Sequence, residues 1–317
     1  MSPFPTMFSI LTRKAPPLEE RLKEILEREY GISDEGTYQA LLKLIKGWLK
    51  PSVQGEGVSL TKDGSYTLIA KEYGEPYHSL TAGAISECIE KFLKPSRLLE
   101  RAEGSKIIRV VDVGFGLGYN VAVMLKHLRD VKKDVHIEVL SFEKELPKEV
   151  PPPPEEYLPY WKLLWDNLPS FEKDGISFRL LLGDARERVR EVESFDADAI
   201  FHDGFSPYKN PELWTLDFLT LLTKLLKRDG VWVSYTSSLA VRKALKLLGF
   251  NLQGTSPVGR KMGGTKAGFE IEESLTEVEA QKLKNSPFAV PFRDPALNRE
   301  PLHILIDYGL RVLYNRS

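Results

Sequence analysis

Val110-Val111-Asp112-Val113-Gly114-Phe115-Gly116-Leu117-Gly118-Tyr119-Asn120 is the stretch that decides the fold. A short, mostly apolar run enters a turn with glycine at three alternate positions, and a helical pattern from Asn120 to Arg129 follows. In a doubly wound α/β sheet this strand–turn–helix unit places its turn at the carboxyl end of the strand, where ligands bind. The glycines let a ligand approach the backbone, and the helix N-terminus adds free N–H groups and a partial positive charge. The spacing argues against a dinucleotide. That fingerprint is G-x-G-x-x-G, whereas Gly118 comes one residue early and position 119 is tyrosine. Glycines that merely form a tight turn remain the alternative.

On either side of this unit the pattern is consistent. Candidate strands are Ile107 to Val113, Val135 to Phe142, Ile176 to Leu182, Ala197 to Phe201, Gly230 to Tyr235, and a pair near Phe250 and Phe269. A second helix is predicted at Leu213 to Leu226. Apolar strands alternating with helices predict a mostly parallel, seven-stranded, Rossmann-like sheet covered on both faces. The run Pro151 to Pro154 reads as a stiff surface insertion. Upstream, apolar residues at helical spacing predict helices over Leu18 to Tyr30 and Gly36 to Leu49, the latter stopped by Pro51. Ser59 to Ile69 reads as a hairpin turning at Asp63-Gly64, with a helix from Ala82 to Leu93 after it. The expected division is a helical extension over residues 1–55 and an α/β domain over 56–317. The last thirty or so residues have no clear pattern.

The 317 residues are 42% apolar and 28% charged with a formal net charge of -1, ordinary for a globular chain and without a global bias toward nucleic acid. The single cysteine, Cys88, excludes a disulfide framework or a cysteine-based zinc site within the chain, and no metal is expected. No signal peptide or membrane-spanning run is visible, so the expected location is the cytoplasm, with no membrane partner.

A carboxylate suits the glycine turn and helix N-terminus, and S-adenosylmethionine carries one. It is the expected cofactor, with Gly114, Phe115, Gly116, Gly118 and Asn120 in its turn. Glu143, after the second strand, is placed to reach ribose hydroxyls. Gly183-Asp184-Ala185 follows the third strand, where Asp184 can accept from the adenine amino group. A charge after a strand can also be merely solvated. The fourth strand ends in His202-Asp203-Gly204-Phe205-Ser206-Pro207. Methyl transfer to an amine needs an aligned, neutral lone pair, and a carboxylate that accepts an amine N–H orients it and stabilises the charge developing on nitrogen. Asp203 is the candidate catalytic residue, a loop-capping Asp being the alternative. Trp214 and Cys88 read as packing residues.

The sequence resembles the methyltransferase domain of the bifunctional tRNA wobble-uridine enzymes known as MnmC. Gly114 to Asn120 match the family's G-F-G-x-G-x-N turn, and Asp203 to Trp214 match D-G-F-[SA]-P-x-K-N-P-x-x-W in full. Tyr77-His78-Ser79 with Gly83-Ala84, Gly259-Arg260-Lys261 and Arg293-Asp294-Pro295 match shorter elements. The likeness runs from about residue 58 to 300. It implies a class I methyltransferase that converts 5-aminomethyl-2-thiouridine at the tRNA wobble position to the 5-methylaminomethyl form. The bifunctional enzymes also carry a flavin-dependent oxidase after this domain. With no second glycine-rich dinucleotide motif before Ser317, the transferase alone is expected, without flavin or oxidase activity.

A tRNA partner has local support. From Val241 to Gly268 there are six bases, Arg242, Lys243, Lys246, Arg260, Lys261 and Lys266, and no acid. Phosphate contacts supply much of the affinity for nucleic acid, although a solvated basic face reads the same way. Tyr77 and His78 are candidates for lining the substrate pocket, and Glu87 for binding cofactor. His78 and Glu87 read equally well as structural. A small-molecule N-methyltransferase, an aminopropyltransferase and a non-catalytic RNA-binding protein of the same fold remain open alternatives.

Overall fold

The computed structural model describes residues 16–258 and 263–314. The first three strands, β1 (Gly57–Leu60), β2 (Tyr66–Ala70) and β3 (Glu75–Pro76), form a small antiparallel sheet. The hairpin turns at Asp63-Gly64 as expected. Asp63 anchors it by accepting from Ser65 N and, across to the next helix, from Ser86 N.

The main sheet contains β4 (Ile107–Val113), β5 (His136–Glu143), β6 (Ser170–Lys173), β7 (Ile176–Leu182), β8 (Ala197–His202), β9 (Leu226–Ser234), β10 (Asn251–Gly254) and β11 (Thr265–Gly268). Their order is β10-β11-β9-β8-β4-β5-β7-β6. The central five, β9 to β7, are parallel, and the outer strands are antiparallel. All seven expected strands are present, and β6 adds an eighth at one edge. It is short and, apart from Phe171, polar, as edge strands commonly are, so no hydrophobic run announced it.

Alternation along β4 sends Ile108 and Val110 to one face and Val111 and Val113 to the other, and both sets are fully buried. Helices Tyr119–Val131 and Leu158–Trp165 cover the first face. Helices Leu216–Leu222, Leu239–Leu247 and Pro301–Tyr314 cover the second. The helix expected over Leu213 to Leu226 is shorter. It is entered by a turn at Pro211–Trp214 and capped by Thr215, whose hydroxyl accepts from Phe218 N, and β9 already begins at Leu226. The helix expected from Ala82 widens into a π-turn at Cys88–Leu93, just before Pro95, which has no N–H to continue an α-ladder. The proline run is not purely a surface feature. Pro151 is buried, and its carbonyl accepts from the Tyr119 hydroxyl at 2.7 Å.

Helices Leu18–Tyr30 and Glu35–Leu49 form as expected, the second capped by Asp34. Leu22, Leu26, Leu41 and Ile45 pack with Ile306 and Leu310 of helix Pro301–Tyr314. The opposite side of that helix sends Leu305 and Tyr308 into the main core. The tail that had no clear pattern in sequence is thus the joint between the first two helices and the sheet. Among the described residues, no helix is long and apolar enough to cross a membrane, and no group of His, Cys, Asp and Glu could hold a metal.

Candidate active site

Strand β4 has β5 on one side and β8 on the other, so connections diverge in opposite directions from its carboxyl end, and a crevice forms there. The N–H groups of Gly114 and Phe115 donate to Phe142 O, and Asp203 N donates to Val113 O at 2.8 Å. The glycine turn and the Asp203 loop therefore meet backbone to backbone. Gly114 has φ +91°, and a Cβ there would lie 2.5 Å from Asp203 O. Above them opens a cleft of about 1090 Å³, lined among others by Gly114, Gly116, Glu143, Asp184, Asp203 and Tyr77.

Glu143 accepts from Gly116 N and Lys144 N, each at 2.8 Å. Burial raises its pKa, and these backbone donors oppose the rise. Asp184 caps the short helix Ala185–Arg188. Burial pushes its pKa up, but the Arg186 guanidinium and amide outweigh this and leave it below the usual range. Arg186 also pairs with the fully buried Asp294 at 2.7 Å. Ala185 lines the cleft beside Asp184. Glu87, also on the cleft, accepts from Ser79 N at 2.7 Å.

Asp203 is half-buried, and its Oδ2 accepts from Asn120 Nδ2 at 2.7 Å. Its loop is held from four directions. The Tyr235 hydroxyl donates to Gly204 O, Trp214 Nε1 to Phe205 O, and Ser206 N and Oγ to Glu75. Lys209 Nζ donates to Leu49 O and Lys50 O. Burial drives the His202 pKa down to about 3, so this ring is neutral; it stacks on Trp214 and accepts from Trp232 Nε1.

Several expectations need correction. Phe115 turns into the core against Trp165 and Phe178, so only its backbone faces the turn. Gly118 and Gly183 do not line the cleft. A Cβ on Gly118 would meet the Phe115 ring at 2.9 Å, and one on Gly183 would meet Arg188 at 3.0 Å. Asn120 is buried and reaches Asp203 rather than the cleft itself. His78 lies behind the cleft, stacked on Tyr119 with Nδ1 3.9 Å from Glu87, and burial lowers its pKa. It packs under the site rather than lining it.

The basic stretch is altered most. Arg242 is 1% exposed and donates to Thr265 Oγ1 and Glu279 Oε1, so it is closed to a phosphate. Lys266 is buried, and Lys246 pairs with Glu273. The balancing acids stand at 273 and 279, beyond the window that looked uniformly basic. Lys243 is half-buried and off the cleft, and Arg260 and Lys261 lie outside the described residues.

Two cleft residues, Tyr73 and Glu212, had no sequence signal of their own, and Phe205 was marked only as part of a motif. Tyr73 stacks on Phe205 at 4.1 Å, and Phe205 meets Tyr77 edge-on at 5.2 Å, forming an aromatic wall beside Asp203. Glu212, one turn further along the same loop, is buried and also lines the cleft.

The fold and this crevice define a class I methyltransferase, and comparison with known proteins agrees. Residues 155–270 match a family described as S-adenosyl-L-methionine-dependent methyltransferase. MnmC2 from Aquifex aeolicus is 51% identical, with a TM-score of 0.88 over 93% of this chain and 99% of that one. The tRNA 5-methylaminomethyl-2-thiouridine biosynthesis bifunctional protein MnmC of Burkholderia vietnamiensis is 31% identical over 65% of this chain and 33% of its own length. An uncharacterised protein of Methanocaldococcus jannaschii is 32% identical over 75% of this chain and 67% of its own. The chain belongs to the S-adenosylmethionine-dependent methyltransferase family of MnmC2 and the methyltransferase half of MnmC, and it spans about a third of the length of the MnmC proteins. The cleft fits the cofactor, since its floor tolerates no Cβ at Gly114 and its carboxylates suit hydroxyl and amino donors.

Proposed function

We propose that this methyltransferase converts 5-aminomethyl-2-thiouridine at the wobble position of tRNA to 5-methylaminomethyl-2-thiouridine. The observation that carries the reading is Asp203, held by Asn120 at the switch point of the sheet beside an aromatic wall. The pathway printed in the names of the MnmC relatives supports the substrate.

S-adenosylmethionine supplies an electrophilic methyl group on sulfur. Asp203 accepts one N–H of the neutral aminomethyl group and turns the nitrogen lone pair toward that methyl. As the N–C bond forms and the S–C bond breaks, nitrogen becomes cationic and the carboxylate stabilises it, after which the extra proton leaves to solvent. Asn120 is a positioning residue that fixes the Asp203 rotamer. Tyr73, Phe205 and Tyr77 offer a flat apolar surface of the kind that receives an unstacked base. In the cofactor half we assign Gly114 and Gly116 to the methionine end, together with Glu87. Glu143 goes to ribose, and the Asp184-Ala185 segment to the adenine side. For phosphate contact we retain Lys243, Arg260 and Lys261.

The burial of Arg242 and Lys266 favours a second reading, a smaller amine substrate that needs no basic surface. The experiment is mass spectrometry of nucleosides from tRNA incubated with protein and labelled cofactor, without flavin. The aminomethyl form should gain one methyl group, and the carboxymethylaminomethyl form should stay unchanged. Methylation of free amines, with tRNA untouched, would replace the proposal by the second reading.

A further inference from the structure

Glu212 takes no part in the methyl transfer described above, yet the fold buries it in the cleft. It sits in the turn Pro211–Trp214, which is pinned at one end by the proline and at the other by the fully buried Trp214. Glu212 is 8% exposed, and its Oε2 has no hydrogen-bond partner among the described residues. A buried acceptor left unmatched is costly, on the order of 1–3 kcal/mol. Burial raises its pKa, with Asp184 adding to the rise and Arg186 and Lys144 opposing it. Tyr73 is a fourth neighbour, its own pKa raised in part by the Glu212 charge. The turn packs against helix Ala185–Arg188, which leaves the carboxyl end of β7. The same turn also abuts the Asp203 loop, where a Cβ on Gly204 would lie 3.0 Å from Leu213 Cδ1.

Asp184, the acid expected to meet adenine, is already engaged. Its Oδ1 accepts from Arg186 N at 2.9 Å and Nε at 3.0 Å, and its Oδ2 from Nη2 at 2.6 Å and Nε at 3.2 Å. Arg186 is locked in turn by Asp294 and by the carbonyl of Arg299. Two carboxylates thus face the same end of the cleft. One is saturated by an arginine, and the other has an oxygen without a donor.

We propose that Glu212 recognises the amino group of the cofactor's adenine by accepting its N–H at Oε2, and that Asp184 is a positioning residue holding Arg186. The site would then select a 6-aminopurine over a 6-oxopurine, whose carbonyl would oppose the carboxylate. The proposal rests on the S-adenosylmethionine assignment and is independent of the tRNA substrate.

The test is calorimetric binding of S-adenosylhomocysteine and of its 6-oxo counterpart, S-inosylhomocysteine, with no turnover involved. The parent protein should prefer the amino form by about tenfold or more, the value of one hydrogen bond to a charged group. Glu212→Gln can accept from an amino group or donate to a carbonyl, so its preference should fall toward unity. Asp184→Asn should weaken both ligands together and leave the preference intact. Thermal denaturation of the unliganded variants reports folding. Should Glu212→Gln not fold, Glu212→Asp keeps the charge with a shorter reach and should likewise lose the preference. A folded Glu212 variant that kept the parental preference, or loss of preference in Asp184→Asn alone, would overturn the proposal. Failure of the parent protein to bind S-adenosylhomocysteine at all would overturn the cofactor assignment and this proposal with it.

Discussion

Replacing Gly114 by alanine would place a methyl group 2.5 Å from Asp203 O and 3.0 Å from Asp203 C. Both atoms are backbone, so no rotamer change relieves the contact. The two segments must separate by at least about 0.5 Å, the gap between the 2.5 Å imposed and the roughly 3.0 Å that real Cβ contacts respect. A φ of +91° adds backbone strain of about 1–3 kcal/mol for any residue with a Cβ. The displaced atoms belong to Asp203, which we propose orients the nucleophile, and a misplacement approaching 1 Å costs roughly a hundredfold in rate. Gly114→Ala should therefore fold with reduced stability and show kcat lower by about one to two orders of magnitude. Gly116→Ala is the control. Its Cβ would meet the Tyr77 ring at 2.9 Å, a side chain able to tilt aside, so the loss should appear mainly in KM. Urea denaturation and steady-state kinetics at saturating cofactor measure both. A folded Gly114→Ala protein with parental kcat would refute the link between the glycine turn and Asp203.

Asp203→Ala should lower turnover by about a hundredfold or more while S-adenosylhomocysteine binding is retained, and Asn120→Ala should give a smaller loss of the same kind. Parental rates in single-turnover assays of Asp203→Ala would make that carboxylate structural. Burial pushes the Asp112 pKa up to about 7, opposed by the Ser141 hydroxyl. The folded state then binds a proton that the unfolded state releases near pH 4, so this contribution is complete at low pH and lost as pH rises through about 7. Asp112→Asn should flatten that part of the pH–stability curve, and an unchanged slope between pH 4 and 7 in urea titrations would contradict it. Arg242→Ala removes a fully buried side chain that donates to Thr265 Oγ1, Gly264 O and Glu279 Oε1 and should destabilise by roughly 1–3 kcal/mol, whereas Lys243→Ala should change stability by less than about 0.5 kcal/mol; equal melting temperatures for the two would show Arg242 to be dispensable to the fold.

The parallel core was legible because β4, β5, β7 and β8 are short, mostly apolar runs and glycine spacing marks the first turn. The edge strand β6 was not, since three polar residues and the lone Phe171, hydrogen-bonded on one side, carry no period. Asp203 was legible as an acid after a strand. Glu212 was not, because its burial depends on how the turn Pro211–Trp214 settles against a helix formed some 25 residues earlier. Asn120 was read as a cofactor residue from its place in the motif, and only the three-dimensional register of β4 against β8 points its amide at Asp203. The basic stretch misled for a related reason. Charge counted along the chain says nothing of acids that fold onto it from Glu273 and Glu279.

Lys209 carries the grip of the Asp203 loop across to the first helices. Its ammonium is partly buried, burial lowers its pKa, and its donors end on the carbonyls of Leu49 and Lys50 at the close of helix Glu35–Leu49. One residue earlier, Tyr208 stacks on Trp48 of the same helix with ring centroids 5.0 Å apart. A chain trimmed at residue 55 to yield a minimal enzyme would strip both partners from adjacent residues of the loop. The cation would be left facing solvent where it had two acceptors, and an aromatic face would be bared on the loop that carries Asp203. The helical extension is thus the outer buttress of the Asp203 loop.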